Sequence, residues 1–277
     1  MQRRHFVTWT ILFTALASCK RSAASKAQRI VSLSPSTTEA LFAIGAGPLV
    51  VGRSRYCNYP ASVLHLPQVG GYVDPNLEAI LALAPTLVTG ARGPLGRSFV
   101  DKLERLSIAS YFPETESVTN IESMLLGLGD RTGHRGDAED IVKRMNGRLQ
   151  ATAERLRALS APRVLLLYGT DPIVAAGKSS FADEMLRLAR ASNAVTNGTG
   201  YPTMGLEHVV VLDPDVIVNA TFGEGMDNAS KLAERAGWNK VRAVREGRVF
   251  ELHDESVLRP GPRLPEGVEA LAKIVHP

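Results

Sequence analysis

The side chains best suited to bind a metal or attack a substrate are few in this 277-residue chain: two cysteines, six histidines and six tyrosines. His5, His65, His134, His208, His253 and His276 are scattered without ligand spacing, so the sequence predicts no metal site. No Gly-x-Ser-x-Gly elbow and no His-Glu-x-x-His helix occurs. Gly177-Lys178-Ser179 has the ending of a phosphate loop, but the position that needs its first glycine holds Pro172. Gly45-Ala46-Gly47 opens like a dinucleotide fingerprint and fails at Val50. The chain therefore offers no catalytic residues and no constellation for turnover.

The elements that would position any site alternate between strand and helix. Ile30-Val31-Ser32-Leu33 reads as a buried strand, and Ser36 with Glu39 has the spacing of a capping box at the helix that follows. Leu49-Val50-Val51-Gly52 is the next strand, and Arg163-Val164-Leu165-Leu166-Leu167-Tyr168 begins a second series. This alternation predicts α/β layers with parallel strands. Leu77-Glu78-Ala79-Ile80-Leu81 through Val88 is echoed by Leu206-Glu207-His208-Val209-Val210 through Ile217. In each copy a short helix stops near a proline and a buried strand follows. One such pair is too few for a solenoid and fits two similar lobes. Between them, residues 137–159 are charged and free of proline, with Ile141, Met145, Leu149 and Leu156 as inner positions. That predicts a single connecting helix of roughly 35 Å. The expected organisation is a leader at 1–18, a tether at 19–28, lobes at 29–136 and 161–277, and the connecting helix at 137–160.

Charge and the N-terminus narrow the function classes. The 32 basic side chains include Arg3 and Arg4 of the expected leader, which leaves 30 against 28 acidic, a balance that excludes nucleic acid as a partner. Arg3 and Arg4 precede an apolar run from Phe6 to Ala17, in the order of a secretory signal, and the run is too short to span a membrane. Leu16-Ala17-Ser18-Cys19 resembles a bacterial lipobox, so cleavage before Cys19 and lipidation of its thiol are expected. Arg3-Arg4-His5-Phe6-Val7 is close to a twin-arginine motif, although Gln2 departs from it, and the export route stays open. With Cys19 acylated, Cys57 has no partner for an intramolecular disulfide.

Arg29-Ile30-Val31-Ser32-Leu33-Ser34-Pro35-Ser36-Thr37-Thr38-Glu39 resembles the opening of the cobalamin and iron-siderophore binding-protein family. Tyr56-Cys57-Asn58-Tyr59-Pro60, Gly70-Gly71-Tyr72, Asn76-Leu77-Glu78, Ala176-Gly177-Lys178-Ser179-Ser180-Phe181, Tyr201-Pro202, Leu206-Glu207 and Pro260-Gly261-Pro262-Arg263 extend the likeness in order. The first three of these stretches sharpen the resemblance toward its cobalamin-binding branch. The resemblance implies two Rossmann-like α/β lobes joined by one long rigid helix, with ligand held in the cleft. It also implies an ABC permease dimer with its ATPases as partners, a monomer, and cobalamin as cargo with no resident cofactor.

The resemblance implies cleft aromatics at Tyr56, Tyr72 and Tyr201; two of these places are often Trp in the family. An aromatic face covers a flat macrocycle well, and a phenol can bond its amide rim. Glu78 and Glu207 match glutamates that dock into arginine pockets on the permease. A carboxylate in the first helical turn also stabilises the positive dipole end by about 0.3–1 kcal/mol, and both roles can hold. Glu255 and Arg263 are weaker ligand candidates, with His253, Asp254 and Arg259 nearby. Cys57 reads as a small buried hydrophobe. The same machine with another cargo is the nearest rival. Haem would use Tyr56, Tyr201 or His253 as axial ligand, and a ferric siderophore would pair with Arg53, Arg55, Arg259 and Arg263. An exported enzyme on a similar scaffold is the more distant one.

Overall fold

The computed structural model describes residues 27–93, 96–221, 232 and 234–277. The leader, Cys19 and most of the tether lie outside the described residues.

The first half of the chain builds a four-stranded parallel sheet from β1 (Ile30–Ser32), β2 (Val50–Arg53), β3 (Leu87–Thr89) and β4 (Ala109–Tyr111), in the order β2-β1-β3-β4. β1 and β3 are buried at every residue, as strands covered on both faces must be. The helix after β1, α1 (Pro35–Ala43), starts two positions earlier than the capping-box spacing implies. Ser34 is its N-cap and accepts the Thr37 N–H, and Pro35 takes the first helical turn. Glu39 is thereby released from any capping role. α2 (Leu77–Ala82) and α3 (Gly96–Arg105) flank the sheet, and α4 (Val118–Thr132) closes the lobe. Ser117 caps α4 at one end, and Gly133, at φ 75°, terminates it in the left-handed conformation that glycine adopts without strain.

α5 (Arg135–Leu156) is the connecting helix, about 33 Å long at 1.5 Å per residue. Ala138, Met145, Leu149, Thr152 and Leu156 are buried along one stripe, and Ile141 packs at its border. This stripe belongs to one continuous apolar core that holds Leu41, Ile44 and Leu125 on one side and Val164, Met185 and Leu271 on the other. The helix is thus a shared core element rather than an exposed spacer. Its Arg148 pairs with Glu266 and Glu269 of the final helix (Leu264–Val275). These contacts resist large changes in lobe angle.

The second sheet runs β10-β9-β5-β6-β8, with β7 beside the start of β5. Its members are β5 (Arg163–Thr170), β6 (Ile173–Ala175), β7 (Ser192–Asn193), β8 (Thr203–Met204), β9 (Val216–Asn219) and β10 (Val249–Glu251), with α6 (Phe181–Leu188) and α7 (Leu206–Leu212) between them. β5, β7, β9 and β10 pair in parallel, whereas β6 and β8 run antiparallel, so this lobe departs from the all-parallel expectation. α2 and α7 occupy equivalent places, each followed by a proline and then by a buried strand, β3 or β9. The internal echo therefore corresponds to a repeated unit. No helix among the described residues is long and apolar enough to cross a membrane.

Candidate functional site

Both sheets send the carboxyl ends of their strands into the space between the lobes, where open α/β sheets place ligands. β1 leads to Ser34–Ser36, β3 to Ala91 and Arg92, β4 to Thr115 and Glu116, and β10 to Glu255, Leu258 and Arg259. Two adjoining hollows result, of about 240 Å³ and 410 Å³, sharing Pro35, Leu258 and Arg259. A third hollow of about 590 Å³ lies on the outer side of the first lobe against α3, at Arg97, Asp101 and Glu104. It draws no residue from the second lobe, so the interlobe pair carries the site.

Tyr72 and Tyr201 face the smaller hollow from opposite lobes, and Tyr56 and Glu255 line its neighbour. Tyr72 is half-buried and its hydroxyl end abuts Gly93, where a Cβ would sit 1.7 Å from its Oη. Tyr201 packs edge-on against Tyr168 of β5, with ring centroids 5.2 Å apart at 84°. Burial pushes the phenols of Tyr72, Tyr168 and Tyr201 above their ordinary value, and in all three the nearby Glu116 carboxylate adds to the rise. Glu116 is therefore central to an aromatic cluster built from both lobes. Its Oε2 accepts the Phe181 N–H at 2.8 Å, which also places an anion at the positive end of α6. Nothing local marks Tyr168 or Glu116 as site residues, and Phe181 stands out only as the end of the Ala176-to-Phe181 stretch; the packing of one lobe on the other brings the three together.

Among the described residues, each guanidinium lining the two hollows already has a carboxylate, whereas Arg53 is buried and donates to the Ser54, Cys57 and Leu64 carbonyls. Arg55 holds Asp74 at 2.6 Å and Arg92 holds Glu114 at 2.7 Å. Arg259 holds Glu39 at 3.1 Å and Glu255 at 2.7 Å. Arg263 grips Glu39 through Nε and Nη2, both at 2.8 Å, and lies 4.1 Å over the Tyr59 ring. Arg263 thus lines neither hollow. It was expected to face the ligand and instead ties the lobes together, because Glu39, only 1% exposed, needs its charge neutralised. Asn58 completes the junction, accepting from Arg259 at 2.6 Å and donating to Glu255 at 3.2 Å.

The remaining candidates separate cleanly. His253 leans on Glu251 at 2.9 Å, and Asp254 caps the short turn after β10 by accepting the Ser256 N–H at 2.9 Å. Cys57 is buried with the Thr38 hydroxyl 3.1 Å from its sulfur, and burial pushes its thiol pKa up; it is the small hydrophobe expected. Glu78 and Glu207 are exposed in the first turns of α2 and α7, one on each lobe. Among the described residues no group of three His, Cys, Asp or Glu could hold a metal ion.

Residues 30–256 match the periplasmic binding protein family. The chain belongs to that family. The binding protein is 33% identical over 258 residues to an uncharacterized ABC transporter substrate-binding lipoprotein of Bacillus subtilis, covering 90% of this chain and 80% of the relative. It is 29% identical over 208 residues to a vitamin B12-binding protein of Yersinia pestis, covering 75% of this chain and 74% of the relative. Among solved structures it superimposes on the apo periplasmic heme-binding protein of Roseiflexus sp. RS-1 with a TM-score of 0.82 and 26% identity, covering 90% and 98% of the two chains. These relatives bind solutes and are not enzymes, and the binding protein shares that role. What fills its cleft is cargo, not a resident cofactor.

Proposed function

We propose that the binding protein captures a bulky, uncharged chelate of the cobalamin type between its lobes and delivers it to an ABC importer. The observation that carries this reading is the prior pairing of Arg55, Arg92 and Arg259, the guanidinium groups that line the hollows, with carboxylates. A ferric siderophore or another anionic chelate calls for unpaired cations. A corrinoid with an amide rim instead needs aromatic faces and scattered polar atoms, which Tyr56, Tyr72 and Tyr201 supply. The vitamin B12-binding relative points the same way.

Delivery uses Glu78 and Glu207, which stand exposed at equivalent helix starts on the two lobes and suit a permease built from two like halves. The protein works as a monomer held at a membrane through lipid on Cys19, in keeping with the lipoprotein relative. Haem is the second reading, favoured by the likeness to a heme-binding structure and by phenols placed to act as axial ligands.

Calorimetric titration with cyanocobalamin, haem and a ferric siderophore in parallel tests the cargo. One-to-one saturation by cyanocobalamin alone is the expected result. Saturation by haem or siderophore alone keeps the carrier and removes the corrinoid. Mass spectrometry of the protein recovered from membranes, wild type against Cys19→Ser, tests the anchor.

A further inference from the structure

We infer that Glu255 and Glu116 are charge-selectivity residues, barring cargo with free carboxylates from a cleft whose arginines could otherwise hold it. This rests on the interlobe cleft being the cargo site and goes further, to what that site rejects. Arg259 borders both hollows, so its guanidinium is the cation that any ligand spanning them meets. Its Nη2 is taken by Glu255, which is 40% exposed, and its Nη1 by Glu39 and Asn58. Glu255 stands in the place where a ligand carboxylate would otherwise bind.

Glu116 acts from the opposite wall. It borders the smaller hollow, is exposed, and makes no ion pair with any described residue. Its Oε2 accepts the Phe181 N–H, a neutral donor, which leaves its negative charge facing the cleft. With Arg55, Arg92, Arg259 and Arg263 offset by Asp74, Glu114, Glu39 and Glu255, Glu116 is the acidic group on the hollows that no described guanidinium offsets. A neutral amide and a carboxylate of the same shape therefore meet different fields. One unit charge acting over several ångströms at intermediate dielectric shifts affinity by roughly tenfold.

A matched ligand pair isolates this effect: cyanocobalamin and its monocarboxylic acid, in which one peripheral propionamide is hydrolysed. The measured quantity is the ratio of the acid's Kd to the amide's. In the wild-type protein the ratio is expected near ten or above. Glu255→Gln keeps the bonds to Asn58 and Arg259 while removing the charge, and is expected to lower the ratio roughly tenfold. Glu116→Gln still accepts the Phe181 N–H and is expected to lower it similarly. Glu255→Asp should keep the wild-type ratio. The difference should shrink as salt rises from about 0.05 M to about 0.5 M, which a packing role would not do. Ratios within twofold of wild type in both Gln variants, or a change indifferent to salt, overturn the inference. If cyanocobalamin fails to saturate the wild-type protein, the cargo assignment falls. The same ratio taken with haem and haem dimethyl ester then decides the selectivity by itself.

Discussion

Replacing Glu39 with Gln keeps the size of the side chain and removes the one charge that ties two arginines across the lobes. The carboxylate is 1% exposed, against 11% for Arg259 and 21% for Arg263, so solvent cannot take over its role. It accepts three charge-assisted bonds, at 3.1, 2.8 and 2.8 Å. Gln offers a single neutral acceptor, and its amide hydrogens point at cations. Losing about 1 kcal/mol from each of the three bonds gives about 3 kcal/mol, the lower end of the 3–5 kcal/mol typical of breaking a buried ion pair. For a chain of this size about 2 °C accompanies each kcal/mol, so the thermal midpoint should fall by roughly 6–10 °C. Differential scanning calorimetry reads this directly. A partner experiment separates the pair from its surroundings. Glu39→Leu with Arg263→Met should lose less than the two single changes together, with a coupling of about 1–3 kcal/mol. A midpoint shift under about 2 °C for Glu39→Gln, or strict additivity in the double variant, would refute the view that this buried pair holds the lobes in register.

Gly93→Ala should drive the Tyr72 ring off its seat and weaken cargo binding about tenfold, while in a Tyr72→Ala background the same change should have little further effect; calorimetric Kd values decide it. Of the six tyrosines, Tyr72, Tyr111, Tyr168 and Tyr201 have pKa values raised chiefly by burial, so an absorbance titration at about 295 nm should show their ionisation above the ordinary value near 10. Because the unfolded chain then releases its protons first, stability is full below pH ~10 and falls as pH rises past it, which denaturant midpoints at rising pH will report. A single transition near pH 10 for all six would contradict the partial desolvation of these four phenols. Glu78→Arg combined with Glu207→Arg should leave calorimetric cargo affinity near wild type but cut uptake into vesicles containing the importer at least tenfold; undiminished uptake would remove both residues from the docking role.

Much of the architecture is set locally and was legible in the chain itself. Strand and helix alternate with hydrophobic runs of the right period, and the α2 and α7 echo shows in matching Leu, Glu and Pro positions because each unit buries the same face. The connecting helix shows as a stripe at Met145, Leu149 and Leu156, since helical period and burial are properties of neighbouring residues. The absence of catalytic and phosphate-binding motifs was equally readable.

The direction each charged side chain takes was decided only by the tertiary structure. Glu39 has a capping-box spacing in the sequence, yet its partners are 220 and 224 residues away. Ser34 caps α1 instead, and that leaves the carboxylate for the other lobe. Arg263 appears as a ligand candidate until Glu39 is seen to claim it, and Glu116 gains meaning only beside Tyr72, Tyr168 and Tyr201. The physical reason is range. Hydrophobic period and helix capping act over a few residues, whereas the energy of a buried charge depends on whatever the folded chain packs against it.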